Sequence, residues 1–154
     1  MASSKPPESA VLPPCSTAWL SELTPAPGPE LGVLQLAWLG DAVWELHQRL
    51  RHCRQPAPSA SLHRAVVATV EARAQERALQ RLEPLLDGVE RDLVRRGRNR
   101  AGRGPRRTDP AIYGQATGFE TMLGWLFLRN PRRLAELLDH LEKTDPPAPS
   151  HATP

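Results

Sequence analysis

A chain of 154 residues with a net charge of +3 is long enough for one domain with a single hydrophobic core. No segment approaches the roughly 18 consecutive apolar residues of a membrane-spanning helix, which excludes a helical membrane span. The two cysteines, Cys15 and Cys53, are too few for a disulfide framework and lack the spacing of a zinc site, and the N-terminus has no signal-peptide apolar run, so we predict a cytoplasmic protein.

Prolines are concentrated at both ends of the chain: seven of the 17 lie in residues 1–30 and four in residues 146–154. Proline has no backbone N–H and clashes with the preceding helical turn, so these segments cannot form long helices or central strands. We therefore predict disordered tails over residues 1–29 and 144–154, on either side of one domain that spans residues 30–143.

Between the tails, apolar residues recur at helical spacing, beginning with a helix over residues 31–51. Its apolar stripe consists of Leu36, Leu39, Val43, Leu46 and Leu50. The proline-containing segment 55–58 interrupts the chain, and Ser59 or Ser61 then begins a second helix that we expect to continue to about residue 82.

A strongly basic segment follows. The pattern predicts a third helix over residues 85–96 with Gly97 as its C-cap, and then a loop over residues 98–110. Residues 91–107 contain eight arginines against one acid, Asp92, so this segment carries a charge of +7. Such local asymmetry is typical of a phosphate-binding surface, although a solvated linker would show the same composition.

Two further helices complete the domain. The first has an apolar stripe formed by Ile112, Ala116, Phe119, Leu123 and Leu126. Asn130 and Pro131 are an N-cap and a first-turn proline, and they begin a last helix that runs to about Lys143. Because no run of alternating β-branched or aromatic residues occurs, the predicted fold class is all-α.

Two acidic residues beside these stripes are candidates for binding a cation. Asp41 follows Gly40 inside the first helix, where a glycine costs about 1 kcal/mol relative to alanine and suggests close approach of a backbone or a ligand. Glu120 has Thr117 and Gly124 about one turn away on either side, which predicts room for an ion or phosphate. Magnesium prefers oxygen ligands and is often held by one or two carboxylates. From spacing alone, a lone aspartate in a helix such as Asp41 is more often simply solvent-facing.

Large apolar residues also lie on or near the Asp41 side of the first helix: Leu34, Trp38 and Trp44. Exposing them to water would be costly, because the other stripe of the helix already serves the core. We therefore predict that part of this face is buried against a second copy of the chain, giving a homodimer.

Several motifs, in consistent order over about residues 31–142, resemble one known family. LAWLGDAVWE at 36–45 resembles the LGDAV-type motif of the ribonuclease III nuclease domain, and GFETMLGWLFL around Glu120 resembles its second signature helix. SLHRAV at 61–66, EARAQ at 71–75, RRGRN at 95–99 and the TD pair before Tyr113 are similar to the Mini-ribonuclease III branch, which lacks a double-stranded-RNA-binding domain.

The resemblance implies an all-helical, ribonuclease III-like endonuclease that dimerises and cleaves double-stranded RNA with magnesium, leaving 5′-phosphates. Asp41 and Glu120 match the family's catalytic and metal-binding positions. Ala37 and Thr117 stand where full-length ribonuclease III has further acids, as in the Mini branch, which puts a two-ion mechanism in doubt. The same branch implies maturation of the ends of the large-subunit (23S) ribosomal RNA precursor.

With no second RNA-binding domain, the nuclease domain must hold the duplex itself, mainly through phosphates and 2′-hydroxyls. The predicted RNA-binding residues are Arg95, Arg96, Arg98, Asn99, Arg106 and Arg107. Two alternatives are open: a non-catalytic RNA-binding module, and a helical dimerisation module whose basic segment is only a linker. Acid–base catalysis by histidine is a weaker alternative, since none of the histidines has an obvious second catalytic group nearby.

Overall fold

The computed structural model describes residues 17–145, and this part of the chain is helical without strands, which confirms the all-α prediction. The α-helices are α1 (Ala18–Ser21), α2 (Val33–His52), α3 (Ser59–Val70), α4 (Ala72–Leu82), α5 (Gly88–Arg100), α6 (Pro110–Arg129) and α7 (Pro131–Thr144), with a 3-10 turn at Glu83–Leu85. No helix between residues 17 and 145 has the length and apolar character needed to cross a membrane. Of the tails predicted at 1–29 and 144–154, residues 1–16 and 146–154 lie outside the described part of the chain.

Helix α6 is the centre of the fold and packs against α2, α4, α5 and α7. Phe119, Met122 and Leu123 in its middle are completely buried. The apolar side of α7 covers one end of α6, and its predicted core residues, Leu134, Leu137, Leu138 and Leu141, are all buried. The Asn130 side chain accepts a hydrogen bond from the Arg133 backbone N–H at 3.2 Å, so the predicted N-cap of this last helix is confirmed.

Helix α2 buries Leu36 and Val43 of its predicted stripe, but its buried face differs from the prediction at two other positions. Leu46 is 45% exposed, whereas Trp44 is 4% exposed and donates a hydrogen bond from Nε1 to the Thr69 carbonyl oxygen at 2.9 Å. Trp44 therefore belongs to the core, because its indole N–H finds an acceptor at the end of α3. Leu34 and Trp38 are exposed at 49% and 81%, in agreement with their predicted position outside the core.

Two predicted helix boundaries also differ from the structure. The helix expected over 59–82 is divided at Glu71, whose extended backbone (ψ 154°) ends α3 and begins α4. The predicted C-cap, Gly97, lies inside α5, which continues to Arg100. A β-carbon at Gly97 would lie 2.7 Å from the Cα of Gly118, so this glycine allows α5 to approach α6 and does not end the helix.

Residues 17–28 are ordered against the domain, in contrast to the predicted N-terminal tail. Leu20 of α1 is 1% exposed, and the Thr17 hydroxyl donates to the Asp139 carboxylate at 2.6 Å. Farther along, the Ala26 N–H donates to the Leu128 carbonyl oxygen at 2.7 Å. Apolar residues between the prolines thus anchor this segment on α6 and α7. At the other end, Asp145 accepts a hydrogen bond from Arg51 at 2.8 Å, so the ordered domain extends past residue 143.

The backbones of α2 and α6 are in direct contact at two glycines. A β-carbon at Gly40 would lie 2.6 Å from the Glu120 carbonyl carbon and 2.9 Å from the Gly124 nitrogen. A β-carbon at Gly124 would lie 2.9 Å from the Leu36 carbonyl carbon. Because these neighbours are backbone atoms, no side-chain rotation makes room for a larger residue. The glycines set the distance between the two helices.

This contact predicts the effect of adding one methyl group. Gly124→Ala should lower the free energy of unfolding by about 2–3 kcal/mol, because α2 must move away from α6. Urea unfolding followed by tryptophan fluorescence measures the change. Gly88→Ala is the matched control, since a β-carbon at Gly88 has no neighbour within 4 Å. Equal stabilities for the two variants would show that the backbone contact is not limiting.

Candidate active site

The structure brings Asp41 and Glu120 together, although they are far apart in the sequence. Asp41 follows Gly40 in α2, and Gly40 lies directly against the backbone of Glu120 in α6. The two side chains therefore start from neighbouring points on touching helices. They are also close enough for the negative charge of Asp41 to raise the pKa of Glu120. The sequence alone did not establish that these helices face each other.

Both carboxyl groups have raised pKa values, and the effect is large only at Glu120. Burial raises the pKa of Glu120 to about 7, and the charge of Asp41 adds to this effect, while a hydrogen bond with the Gln75 side chain opposes it. The pKa of Asp41 is raised as well, first by partial burial and then by the charge of Glu45. Near neutral pH the pair thus carries negative charge in a setting that disfavours it.

Within residues 17–145, neither Asp41 nor Glu120 forms a salt bridge with a basic side chain. Two close carboxylates without a cationic partner suit a hard divalent cation such as magnesium, which takes oxygen ligands and keeps several waters. The same part of the chain has no group of three or more His, Cys, Asp or Glu side chains that could hold a metal ion. A cation at this site would therefore use Asp41 and Glu120, leaving its other positions for water and substrate oxygens.

The small residues beside Glu120 do not leave the space that the sequence predicts. Gly124 is covered by the α2 backbone at Leu36, so helix packing fills this position. Thr117 is 5% exposed, and its hydroxyl donates to the Tyr113 carbonyl oxygen at 3.0 Å. The expectation of room for an ion or a phosphate along this row is wrong at Gly124. Any bound cation must lie toward the carboxylate ends.

Gln75 is a site residue that the sequence analysis missed. It is 2% exposed, lies in the first turn of α4 after the break at Glu71, and its side chain forms a hydrogen bond with Glu120. The EARAQ motif at 71–75 contains it, but a single glutamine in a polar helix gives no signal of its own. The chain breaks at Glu71, which the sequence analysis did not predict. Helix α4 begins after this break, with the Gln75 side chain buried.

The six predicted RNA-binding residues are all exposed. Arg95 pairs with Asp92 on the same helix turn, while Arg96, Arg98, Arg106 and Arg107 form no ion pair within the described part of the chain. The loop between α5 and α6 turns at Gly102 and Gly104, which have φ angles of 67° and 70°. A β-carbon at Gly104 would collide with the Tyr113 ring, so the loop is packed on the start of α6 and presents its arginines to solvent.

The environment of His47 does not support the alternative of acid–base catalysis by this histidine. His47 is 2% exposed, and burial followed by the charges of Arg51 and Arg54 lowers its pKa to about 3. A neutral, enclosed imidazole has no access to a substrate phosphate. We assign His47 to the packing of α2 against α7, where it lies 3.7 Å from Glu142.

Comparisons with known proteins identify the family and the fold of this chain. A family model described as the ribonuclease III domain matches residues 34–131. A Mini-ribonuclease 3 from Synechococcus sp. is 47% identical over 123 residues, covering 80% of this chain and 89% of that protein. A Mini-ribonuclease 3 from Synechocystis sp. is 45% identical over 130 residues, covering 82% and 91%. A crystal structure of a Fusobacterium nucleatum protein superposes with a TM-score of 0.67 at 26% identity, covering 74% of this chain and 93% of that one.

The raised pKa of Glu120 predicts a pH-dependent stability in the absence of divalent cations. Because the pKa rises from 4.5 to about 7 on folding, the stabilisation is fully present below pH 4.5 and is lost as pH increases through 7. Between pH 5 and pH 8, unfolding in EDTA should become easier by about 1–3 kcal/mol. Glu120→Gln should remove this dependence, whereas Glu30→Gln, at an exposed position, should retain it. An unchanged pH dependence in Glu120→Gln would contradict the assignment.

Proposed function

Because the chain belongs to the ribonuclease III family, in its Mini-ribonuclease III branch, and is an endoribonuclease, we propose that it cleaves double-stranded RNA with magnesium held by Asp41 and Glu120. The observation that carries the proposal is the pairing of these two carboxylates, without a basic partner, at the contact between α2 and α6. Their positions also match the two acidic motifs of the family. When bound, the cation would supply positive charge to the scissile phosphate and activate water for its hydrolysis.

The protein's own residues divide the remaining work. Asp41 and Glu120 hold negative charge at the site, and the Gln75 side chain favours the charged form of Glu120 by lowering its pKa. Arg96, Arg98 and the residues of the basic loop lie on the surface, free to contact phosphates of the duplex. Their role is to position the RNA, while the carboxylates serve the reaction.

The predicted RNA-binding residues belong to this proposal as a set. They are Arg95, Arg96, Arg98, Asn99, Arg106 and Arg107. Arg95 must exchange its pairing with Asp92 for an RNA phosphate, which makes it a weaker contributor than its neighbours. Recognition should follow the shape of A-form RNA more than its sequence.

A homodimer is the second part of the proposal. Trp38 is 81% exposed and Leu34 is 49% exposed on the α2 surface near Asp41. An exposed tryptophan beside an exposed leucine is typical of an interface, and a two-fold pairing would give two sites, one for each RNA strand. Trp44 does not contribute, because it is buried in the core.

We place the substrate in the precursor of large-subunit (23S) ribosomal RNA, whose ends would be matured by one cut on each strand. The support for this choice is membership of the Mini-ribonuclease III branch. The products would carry 5′-phosphates and 3′-hydroxyls, and the activity would take place in the cytoplasm.

The site assignment predicts the effect of removing one charge. Asp41→Asn retains the size of the side chain and removes its negative charge, so cleavage of a labelled RNA duplex in magnesium should fall by about 100-fold or more. Because Asp41 is exposed, folding should be retained, which circular dichroism checks. A folded Asp41→Asn protein that cleaves at the wild-type rate would overturn the proposed site.

The basic loop predicts a change in salt dependence. Replacing both Arg106 and Arg107 with alanine should reduce the slope of log affinity against log salt by up to about two units, since each phosphate contact releases counterions. Binding is measured in calcium, chosen to occupy the site without supporting turnover. Alanine at both Arg73 and Arg132, exposed on α4 and α7, is the control. An unchanged slope in the loop variant would show that Arg106 and Arg107 do not contact phosphates and would support the interpretation of the loop as a solvated linker.

A further inference from the structure

A cavity of about 420 Å³ lies between α4, α5 and the first half of α6, outside the Asp41–Glu120 site. This volume falls in the range of about 300–1,000 Å³ that small-ligand sites occupy. Leu79 and Leu86 form part of its lining and are 2% and 4% exposed, so one wall is apolar and well packed. Val94 of α5 adds a third apolar side chain. The cavity is open to solvent, with Leu79 and Leu86 at its base and exposed arginines along its edge.

The remaining lining of the cavity is mostly cationic. Arg91, Arg95 and Arg98 line it from α5, against a single acid, Glu83. Arg91 donates a hydrogen bond to the Glu83 backbone carbonyl oxygen at 3.3 Å and does not pair with the Glu83 carboxylate. This carboxylate is the one negative charge in the lining. The three guanidiniums and one carboxylate of the lining sum to +2, of which one charge is compensated by Asp92, the ion-pair partner of Arg95. Such a surface favours an anionic ligand.

Hydrogen-bonding groups complete the lining. Gln115 contributes a side-chain amide from α6, which both donates and accepts. The stem of Arg98 lies over Gly114, where a β-carbon would be 3.2 Å from Arg98 Cγ. A small residue at 114 thus allows the arginine to lie close along α6 at the edge of the cavity. An apolar wall, an amide and a group of arginines match the three parts of a nucleotide: base faces, base edge and phosphate.

The cavity is connected to the proposed active site through α4. Leu79, in its wall, lies one helical turn after Gln75, the residue that hydrogen-bonds to Glu120. One turn of helix advances about 5.4 Å. Two of the cavity's arginines, Arg95 and Arg98, are also among the predicted RNA-binding residues. A strand held at the carboxylates and on α5 would pass close to the opening.

We propose that this cavity binds one unpaired nucleotide of the RNA substrate, with the base against the partly exposed Val94 of the apolar wall and the phosphate among the arginines. The inference rests on the proposed function, because it takes the RNA to lie along α5. Bases in a continuous A-form duplex are stacked and inaccessible, while bulged bases are free to turn outward into a protein pocket. The enzyme therefore prefers duplexes that carry an unpaired nucleotide near the cleavage site over fully paired duplexes.

The test compares RNA duplexes that differ by one nucleotide. Affinities are measured in calcium for a fully paired duplex and for a series with a single unpaired nucleotide at successive positions. At the best position, wild-type protein should bind at least about fivefold more tightly than to the paired duplex, the change expected from one net hydrogen bond. Equal affinity at every position would overturn the proposal.

Two variants at Gln115 assign the preference to the cavity. Gln115→Trp should fill it, and Gln115→Leu should remove the amide at nearly constant volume. Both should lose the preference while binding the paired duplex as wild type does. Gln80→Trp, on the exposed side of α4, is the matched control and should retain the preference. A preference that survives in a folded Gln115→Leu protein and in Gln115→Trp would place its origin elsewhere.

Two more measurements separate the remaining interpretations. Adenosine monophosphate should compete for the cavity and abolish the preference at saturation. One result would show that the cavity is a site for a free nucleotide and would overturn the RNA proposal. In this result the monophosphate binds wild type but not Gln115→Trp, and wild type binds the paired duplex and the duplexes with an unpaired nucleotide equally well. Cleavage of the paired duplex is followed in parallel with magnesium. Its absence in wild type would refute the proposed function, whereas its presence with no bulge preference would refute this inference alone.

Discussion

The direct contact between the backbones of α2 and α6 is the constraint on which the rest of the molecule depends. It requires glycine at positions 40 and 124, because any β-carbon there would meet backbone atoms of the other helix. Asp41 and Glu120 occupy positions next to this contact, one on each helix. The same glycines that allow close packing therefore bring two carboxylates together. Neither helix needs a special conformation at the acidic residue itself.

Bringing two carboxylates together costs free energy when no cation is bound. Burial and mutual repulsion raise the pKa of Glu120, and only the Gln75 hydrogen bond acts in the opposite direction. Elsewhere the protein pairs a buried acid with a base: Glu90, 1% exposed, accepts a hydrogen bond from Arg133 at 2.7 Å. Within residues 17–145 the two carboxylates at the α2–α6 contact have no such basic partner, which is the arrangement that the proposed cation site requires. Local destabilisation of this kind is typical of catalytic sites.

The sequence predicted the helices better than the faces that they bury. Asn130 and Pro131 are local signals, and the structure has the predicted cap. Leucine spacing could not place Trp44 in the core, because that depends on an acceptor at Thr69, which is remote in the sequence. The motifs identified Asp41 and Glu120 as candidates, whereas Gln75 required the unpredicted break at Glu71. The proline content also led to the wrong prediction of a disordered tail over residues 17–28. The contacts of Leu20 with the core are long-range, and composition does not indicate them.

The proposed reaction requires that Asp41 and Glu120 together hold one divalent cation. Isothermal titration of magnesium into the free protein tests it without RNA or turnover. We expect one site in the wild type and an affinity lowered by about tenfold or more in both Asp41→Asn and Glu120→Gln, since each removes one of two charged ligands. Glu136→Gln, at an exposed position of α7 where the glutamate is ion-paired with Arg133, should bind as the wild type does. Wild-type affinity in either of the first two variants would contradict the claim.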